Sequence, residues 1–138
     1  MSAAIQTPAI LNPVSSASKR VWTGRAVSAL PVLLLLFSGV MKLMKPAPVL
    51  EGFARYGYAE HLILILGLLE IGCTILYLIP RTAVLGAILV TAYLGGATAT
   101  NVRVGDPSFL VTVALGILVW LGLYLRDERL RELVPFRS

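Results

Sequence analysis

Charge is scarce in this sequence. Asp, Glu, Lys and Arg make up 14% of its 138 residues, where ordinary soluble domains carry about a quarter. Apolar residues make up 57%. A soluble chain of this length could not cover so much apolar surface, because small domains leave a large share of their surface exposed. A water-soluble globular fold is therefore excluded, and lipid is the natural solvent. Cysteine occurs once, as Cys73, so an intramolecular disulfide, a CxxC redox motif and a Cys-rich metal site are all excluded. Histidine also occurs once, as His61, which excludes two-histidine haem ligation within the chain. Acidic residues number 7 against 12 basic ones, a net charge of +5. The basic residues flank apolar runs instead of forming a stripe with aromatics, so nucleic acid is excluded as a partner. Flanks of that kind orient membrane helices and meet anionic headgroups.

The apolar runs predict an all-α membrane protein, a four-helix transmembrane bundle. Residues 1–24 open with an Ala-, Ser- and Pro-rich stretch lacking a hydrophobic period and read as a mobile N-terminal tail. Residues 25–125 hold four spans, at about 26–44, 61–79, 82–99 and 108–125, each near the roughly 20 residues needed to cross a bilayer. The first run could be mistaken for a secretion signal. Its length and the unsuitable Gly39-Val40-Met41-Lys42 stretch favour a retained helix. Between spans one and two, Pro46 and Pro48 break the chain, and Leu50, Phe53 and Tyr56 then recur at helical spacing. That pattern predicts a short interfacial helix or a re-entrant segment. Asp106 and Pro107 suit the start of the last span. Residues 126–138 are expected to carry the fourth helix onward as a cytoplasmic extension, with Asp127 and Glu128 each within reach of Arg131.

Orientation follows from the basic residues. Lys19, Arg20, Arg25, Arg81, Arg126, Arg129, Arg131 and Arg137 lie on one side of the spans, and Lys42, Lys45, Arg55 and Arg103 on the other. The bias predicts a multi-pass membrane protein with both termini in the cytoplasm.

Polar groups inside the spans carry the functional information, because lipid cannot satisfy them. Glu70 falls near the middle of the second span. An unmet charge there costs roughly 2.5 kcal/mol or more, so Glu70 must face the bundle, be paired or be neutral. Gly67, Thr74 and Tyr77 share its face, and Tyr93 on the third span lies within about one turn of its depth. Thr91, Gly95 and Thr98 form an adjoining face. Lys42 on the first span is one helical turn from Ser38 and can reach Glu70 if the two helices are neighbours. Lys42, Glu70, Thr74, Tyr93 and Thr98 are the candidate ligand-binding residues, in a pocket open toward the non-cytoplasmic side. The competing reading is a buried hydrogen-bonded pair that fixes helix register. Lys42 alone reads as snorkelling to the interface. His61 reads as a solvated helix start and Cys73 as a small core residue. Gly67, Gly72, Gly86, Gly95, Gly96, Gly116 and Gly122 are expected to permit close helix approach. Trp22, Tyr77 and Tyr124 fit an interfacial belt, and Trp120 packs deeper.

Six stretches taken in order extend this reading: Phe37-Ser38-Gly39-Val40-Met41-Lys42-Leu43, Leu66 to Gly72, Ile79-Pro80-Arg81 to Ala87, Tyr93-Leu94-Gly95-Gly96-Ala97, Val102 to Pro107, and Trp120 to Asp127. Together they resemble the DoxX-like family of small bacterial membrane proteins, over about Arg25 to Pro135. The resemblance implies a four-helix membrane bundle in a bacterial inner (cytoplasmic) membrane. It also implies an association with membrane redox assemblies in which quinone is the relevant small molecule, with no settled activity for most members. Similar sequences often carry His where this chain has Asn101, which puts any metal or proton role of that histidine in doubt here.

These readings converge on an accessory or small-molecule-binding subunit of a membrane assembly, with quinone or lipid as ligand and no intrinsic cofactor or metal. Partner membrane proteins or a homo-oligomer would join the lipid bilayer as its surroundings. Two alternatives stand beside it: a quinol-handling oxidoreductase component with Glu70 in proton transfer, and a small oligomeric transporter. The lack of flavin or metal ligands weighs against stand-alone redox catalysis.

Overall fold

In the computed structural model, residues 7–133 are described, with their side chains from residue 18 onward. Six helices follow one another: α1 (Thr7–Met44), α2 (Ala47–Tyr56), α3 (Glu60–Leu78), α4 (Ala83–Arg103), α5 (Phe109–Arg126) and α6 (Glu128–Leu133). Helices α1, α3, α4 and α5 are long and apolar enough to cross a membrane. They pack in the ring α1–α3–α4–α5, each against its neighbour in sequence, and α5 closes on α1. Short connections make every neighbouring pair antiparallel, so both termini lie at one end. Large apolar side chains stand exposed on every span, among them Leu33, Leu68, Leu85 and Ile117. Water would not tolerate such a surface, whereas lipid is as apolar as the side chains themselves.

The spans fall where composition places them, except that α4 runs on to Arg103, past the expected end near residue 99, and that two larger differences lie at the ends of the bundle. Helix α1 begins at Thr7, although the sequence predicts a tail to residue 24; residues 1–6 lie outside the described part. The region just before the first apolar run contains good helix formers such as Lys19, Arg20 and Arg25. It is also held from the side. A Cβ on Gly24 would come within 2.8 Å of the Arg126 nitrogen and 2.9 Å of the Gly122 oxygen, so α1 and α5 touch backbone to backbone there. The second difference is at α5, which does not run on unbroken. Asp127 is extended, and its Oδ1 accepts the N–H groups of Arg129 (2.9 Å) and Leu130 (3.3 Å). The aspartate caps a separate α6 instead of pairing with Arg131, which faces Glu128 at 3.6 Å. This turn folds Leu130 back onto the core formed with Val32, Tyr77 and Leu123. Residues 134–138, the end of the expected extension, lie outside the described part.

At the opposite, far end, Lys45 adopts a left-handed φ of 52° and terminates α1 ahead of Pro46. Helix α2 is the short helix expected between spans one and two, with Leu50, Phe53 and Tyr56 turned toward the bundle and Glu51, Ala54 and Arg55 outward. Gly57, at φ 84°, ends it in a left-handed cap that hydrogen-bonds back to Ala54 and Phe53.

Tyr77 is a correction to the sequence reading. It is not an interfacial belt residue but is buried to 1% exposure, its hydroxyl 2.9 Å from Ser28 Oγ and donating to the Val119 carbonyl at 2.8 Å. It shares a face with Glu70, and that register turns it inward. The glycines also divide. Gly67, Gly86 and Gly122 do sit at helix contacts, as do Gly24 and Gly39, while nothing approaches Gly72, Gly95 or Gly96 within 4 Å.

Candidate functional site

The site begins with two glycines. A Cβ on Gly67 would meet Lys42 Cβ at 2.9 Å and the Gly39 oxygen at 3.1 Å. Their bareness lets α1 and α3 approach closely and sets Lys42 opposite Glu70. Lys42 Nζ lies 2.5 Å from Glu70 Oε2, with the two side chains 12% and 3% exposed. Lys42 is thus drawn inward to a partner and does not snorkel. Its ammonium also donates to Ser38 Oγ at 2.7 Å and stands 5.8 Å from the centre of the Tyr93 ring. Ser38 and Tyr93 in turn donate to the same Glu70 Oε2, at 3.4 and 3.2 Å. Three donors from two neighbouring helices therefore converge on one carboxylate oxygen. Among the described residues Oε1 receives none.

Glu70, Lys42, Ser38 and Tyr93 line a cavity of about 670 Å³ in the far half of the bundle. Phe53, Tyr56 and Tyr58 from α2 and its following turn form its roof. Leu34 and Phe37 of α1 and Val111 of α5 also line it and are exposed on the outer surface. The cavity therefore meets the lipid-facing side between α1 and α5. Pockets of about 300–1,000 Å³ with mostly apolar walls and a few placed polar groups are the usual form of small-molecule sites.

The other candidate residues lie elsewhere. Thr74 is fully buried, but its hydroxyl donates to the Glu70 backbone carbonyl at 2.7 Å and does not line the cavity. Thr98 bonds the Leu94 carbonyl and Thr112, both at 2.7 Å, joining α4 to α5 away from the carboxylate. Thr91 bonds Ala87 and receives the Trp120 indole N–H at 2.7 Å. Hydroxyls within helices commonly satisfy themselves on the carbonyl four residues back, and this removes Thr74 and Thr98 from the pocket.

Asn101 is not among the five candidate ligand-binding residues read from the sequence. It is 6% exposed, lines the cavity, and its side-chain amide makes no hydrogen bond among the described residues. Its signal in the sequence is a polar residue at the end of the third span.

The roof is fastened by charge. Arg55 Nη2 donates to Asp106 Oδ2 at 2.5 Å and the Tyr56 hydroxyl donates to the same oxygen at 3.3 Å. Arg103 donates to the Tyr56 carbonyl, and Tyr58 meets Thr100 at 2.8 Å. The Ser108 backbone N–H, bonded to Asp106 Oδ1 at 2.9 Å, is the main cause holding the Asp106 carboxyl below its ordinary value, with Arg55 and Tyr56 assisting. A depressed value means that the carboxylate's contribution is complete above the unfolded value and fades as pH falls through the folded one. The roof is expected to hold above about pH 4 and to loosen in stronger acid. Hydrogen exchange of the Phe53–Tyr58 amides, corrected for intrinsic rates, should rise below that point. The rise should be absent in Asp106→Asn, whose roof is loose throughout; an unchanged profile down to pH 2 in the parent protein would contradict it.

A family model described as the DoxX-like family matches residues 26–122, which takes in the second and third spans, most of the first and fourth, and every residue of the Glu70 cluster. No curated protein and no solved structure matches the chain. The chain belongs to the DoxX-like family.

Proposed function

For this DoxX-like, multi-pass membrane protein we propose a binding role: the far-end cavity takes up a small amphiphile, a quinone or a lipid, with its polar head at Glu70 and its apolar part toward Leu34 and Phe37. The observation that carries this reading is the asymmetry of the Glu70 carboxylate. One oxygen is saturated by Lys42, Ser38 and Tyr93, while the other is left for the occupant of the cavity. A pair serving only to lock helix register would have no use for an adjoining cavity or for an idle Asn101 amide. Oε1 can accept a hydroxyl proton donor, and Asn101 can both donate and accept. A quinol or a glycerol-based headgroup offers matching groups.

The protein acts, on this reading, as an accessory subunit within a larger membrane assembly or a homo-oligomer. The exposed, uncovered Gly95 and Ala99 on α4 support a helix partner there, since small residues mark helix contacts in lipid. The bias of Lys and Arg supports cytoplasmic termini in a bacterial inner membrane, which puts the cavity in the opposite half of the bilayer.

Mass spectrometry of small molecules retained after purification in mild detergent tests the reading. The parent protein is expected to carry one quinone or lipid species above the detergent background. Glu70→Gln should lower its occupancy about tenfold or more, the cost of about one charge-assisted hydrogen bond, and Asn101→Ala about fivefold, the cost of about one ordinary hydrogen bond. Equal occupancy in folded parent and both variants would overturn it.

A further inference from the structure

The end of the bundle that carries the termini holds a second cavity, of about 940 Å³, between α1, the α3–α4 turn and the α5–α6 junction. Four guanidinium groups line it: Arg25 from α1, Arg81 from the turn, Arg126 from the end of α5 and Arg129 from α6. None has a carboxylate partner among the described residues. Two acids, Asp127 and Glu128, share the rim and lower its charge, but neither pairs with any of the four arginines, so the groove stays net cationic. Asp127 spends Oδ1 on the α6 backbone, and Glu128 faces Arg131.

Arg126 is the fixed member. Its Nη2 donates to the Tyr77 carbonyl at 3.2 Å, its guanidinium lies 4.6 Å from the Tyr77 ring centre, and its Nε is buried without an acceptor. Arg25 is steered by Trp22, 5.1 Å from its ring centre. Below the arginines the wall becomes apolar through Leu33 and Leu78, both exposed on the lipid-facing surface. The cavity is thus cationic at the level where headgroups lie and apolar at the level where acyl chains lie.

We propose that this groove is a binding site for an anionic phospholipid, its phosphate held by the arginines and its acyl chains laid along Leu33 and Leu78. Guanidinium forks match phosphate oxygens in geometry as well as charge. Basic pockets between membrane helices are a recognised form of lipid site. The apolar wall is what selects a lipid over free phosphate, since a soluble anion has no use for it. The site is separate from the Glu70 cavity, and its occupancy does not depend on what that cavity holds.

The test uses the full chain, released from nanodiscs of phosphatidylglycerol mixed with phosphatidylcholine, and counts retained lipids by native mass spectrometry. Phosphatidylglycerol should be retained in preference to phosphatidylcholine. Arg81→Gln with Arg129→Gln, both exposed and unpaired among the described residues, should lower its retention about twenty-five-fold, at about fivefold for each basic residue near the headgroups. Lys19→Gln with Arg20→Gln removes the same charge at the same end but outside the groove, and should change retention less than about twofold. Equal losses in the two double variants would overturn the site in favour of a diffuse surface attraction. Equal retention of both lipids would overturn it outright, and full displacement by millimolar inorganic phosphate would overturn the lipid as its occupant.

Discussion

Lys42→Met should destabilise the protein by about 3 kcal/mol or more, the cost of leaving a buried carboxylate without its cation. Glu70 is 3% exposed and its ammonium partner sits at 2.5 Å, so Ser38 and Tyr93 would remain as its donors with no opposite charge nearby. A lysine that merely snorkelled to the interface could be replaced at almost no cost, which separates the two pictures. The matching change Glu70→Met strands the ammonium instead and should also be costly. The double variant removes both charges and should recover most of the loss, because a buried ion pair exchanged as a unit for apolar groups is often neutral. Unfolding in mixed micelles of rising denaturing-detergent content measures all three. Strict additivity, with the double variant as weak as the sum of the singles, would show that the two groups are not coupled.

Gly86→Val is expected to be the most damaging small substitution. A Cβ there would fall on the Tyr77 backbone nitrogen and Cα and on the Leu76 carbonyl carbon. Those are backbone atoms of the neighbouring helix and cannot rotate aside, so α3 and α4 must part. Overpacking of this kind costs about 1–3 kcal/mol, and here it also unseats Tyr77 from Ser28 and Val119. Gly95→Ala makes the contrast: nothing stands within 4 Å of its Cβ, and alanine improves helix propensity by up to about 1 kcal/mol. The same unfolding measurement should find Gly95→Ala neutral or stabilised. A Gly86→Val protein as stable as the parent would mean that α3 and α4 do not meet at this point.

The four spans and the Lys42–Glu70 contact were readable in the sequence for one physical reason. Lipid offers no partner to backbone or charge, so long apolar runs must be helices and a lone mid-span carboxylate must face the bundle, be paired or be neutral, with Lys42 within reach as a partner. The rest depended on facts that residue types do not carry. Thr74 and Thr98 share a polar face with Glu70 and Tyr93, but a hydroxyl can satisfy itself on its own helix, so a polar face overstates a site. Tyr77 lies at interfacial depth by counting, yet which way it points is set by the packing of three helices. The break at Asp127 turns on a choice between capping and pairing that the DER-type charge pattern leaves open. The arginine groove draws on residues scattered from Arg25 to Arg129, which become neighbours only when α6 folds back.

Helices α1 and α5 touch backbone to backbone at Gly24 and Gly122, yet between Phe37 and Val111 they border an opening. Two rods pinned at one end and parted at the other form a lever. Gly24 to Phe37 spans about 20 Å of helix at about 1.5 Å per residue. A pivot of about 5° at the pin therefore moves the jaw by about 1.7 Å, close to the radius of a methyl group. A side chain added at Gly24 or Gly122 would tilt the rods at their pin, so that a lesion there would be felt most at the opposite face of the bilayer, in the width of the opening.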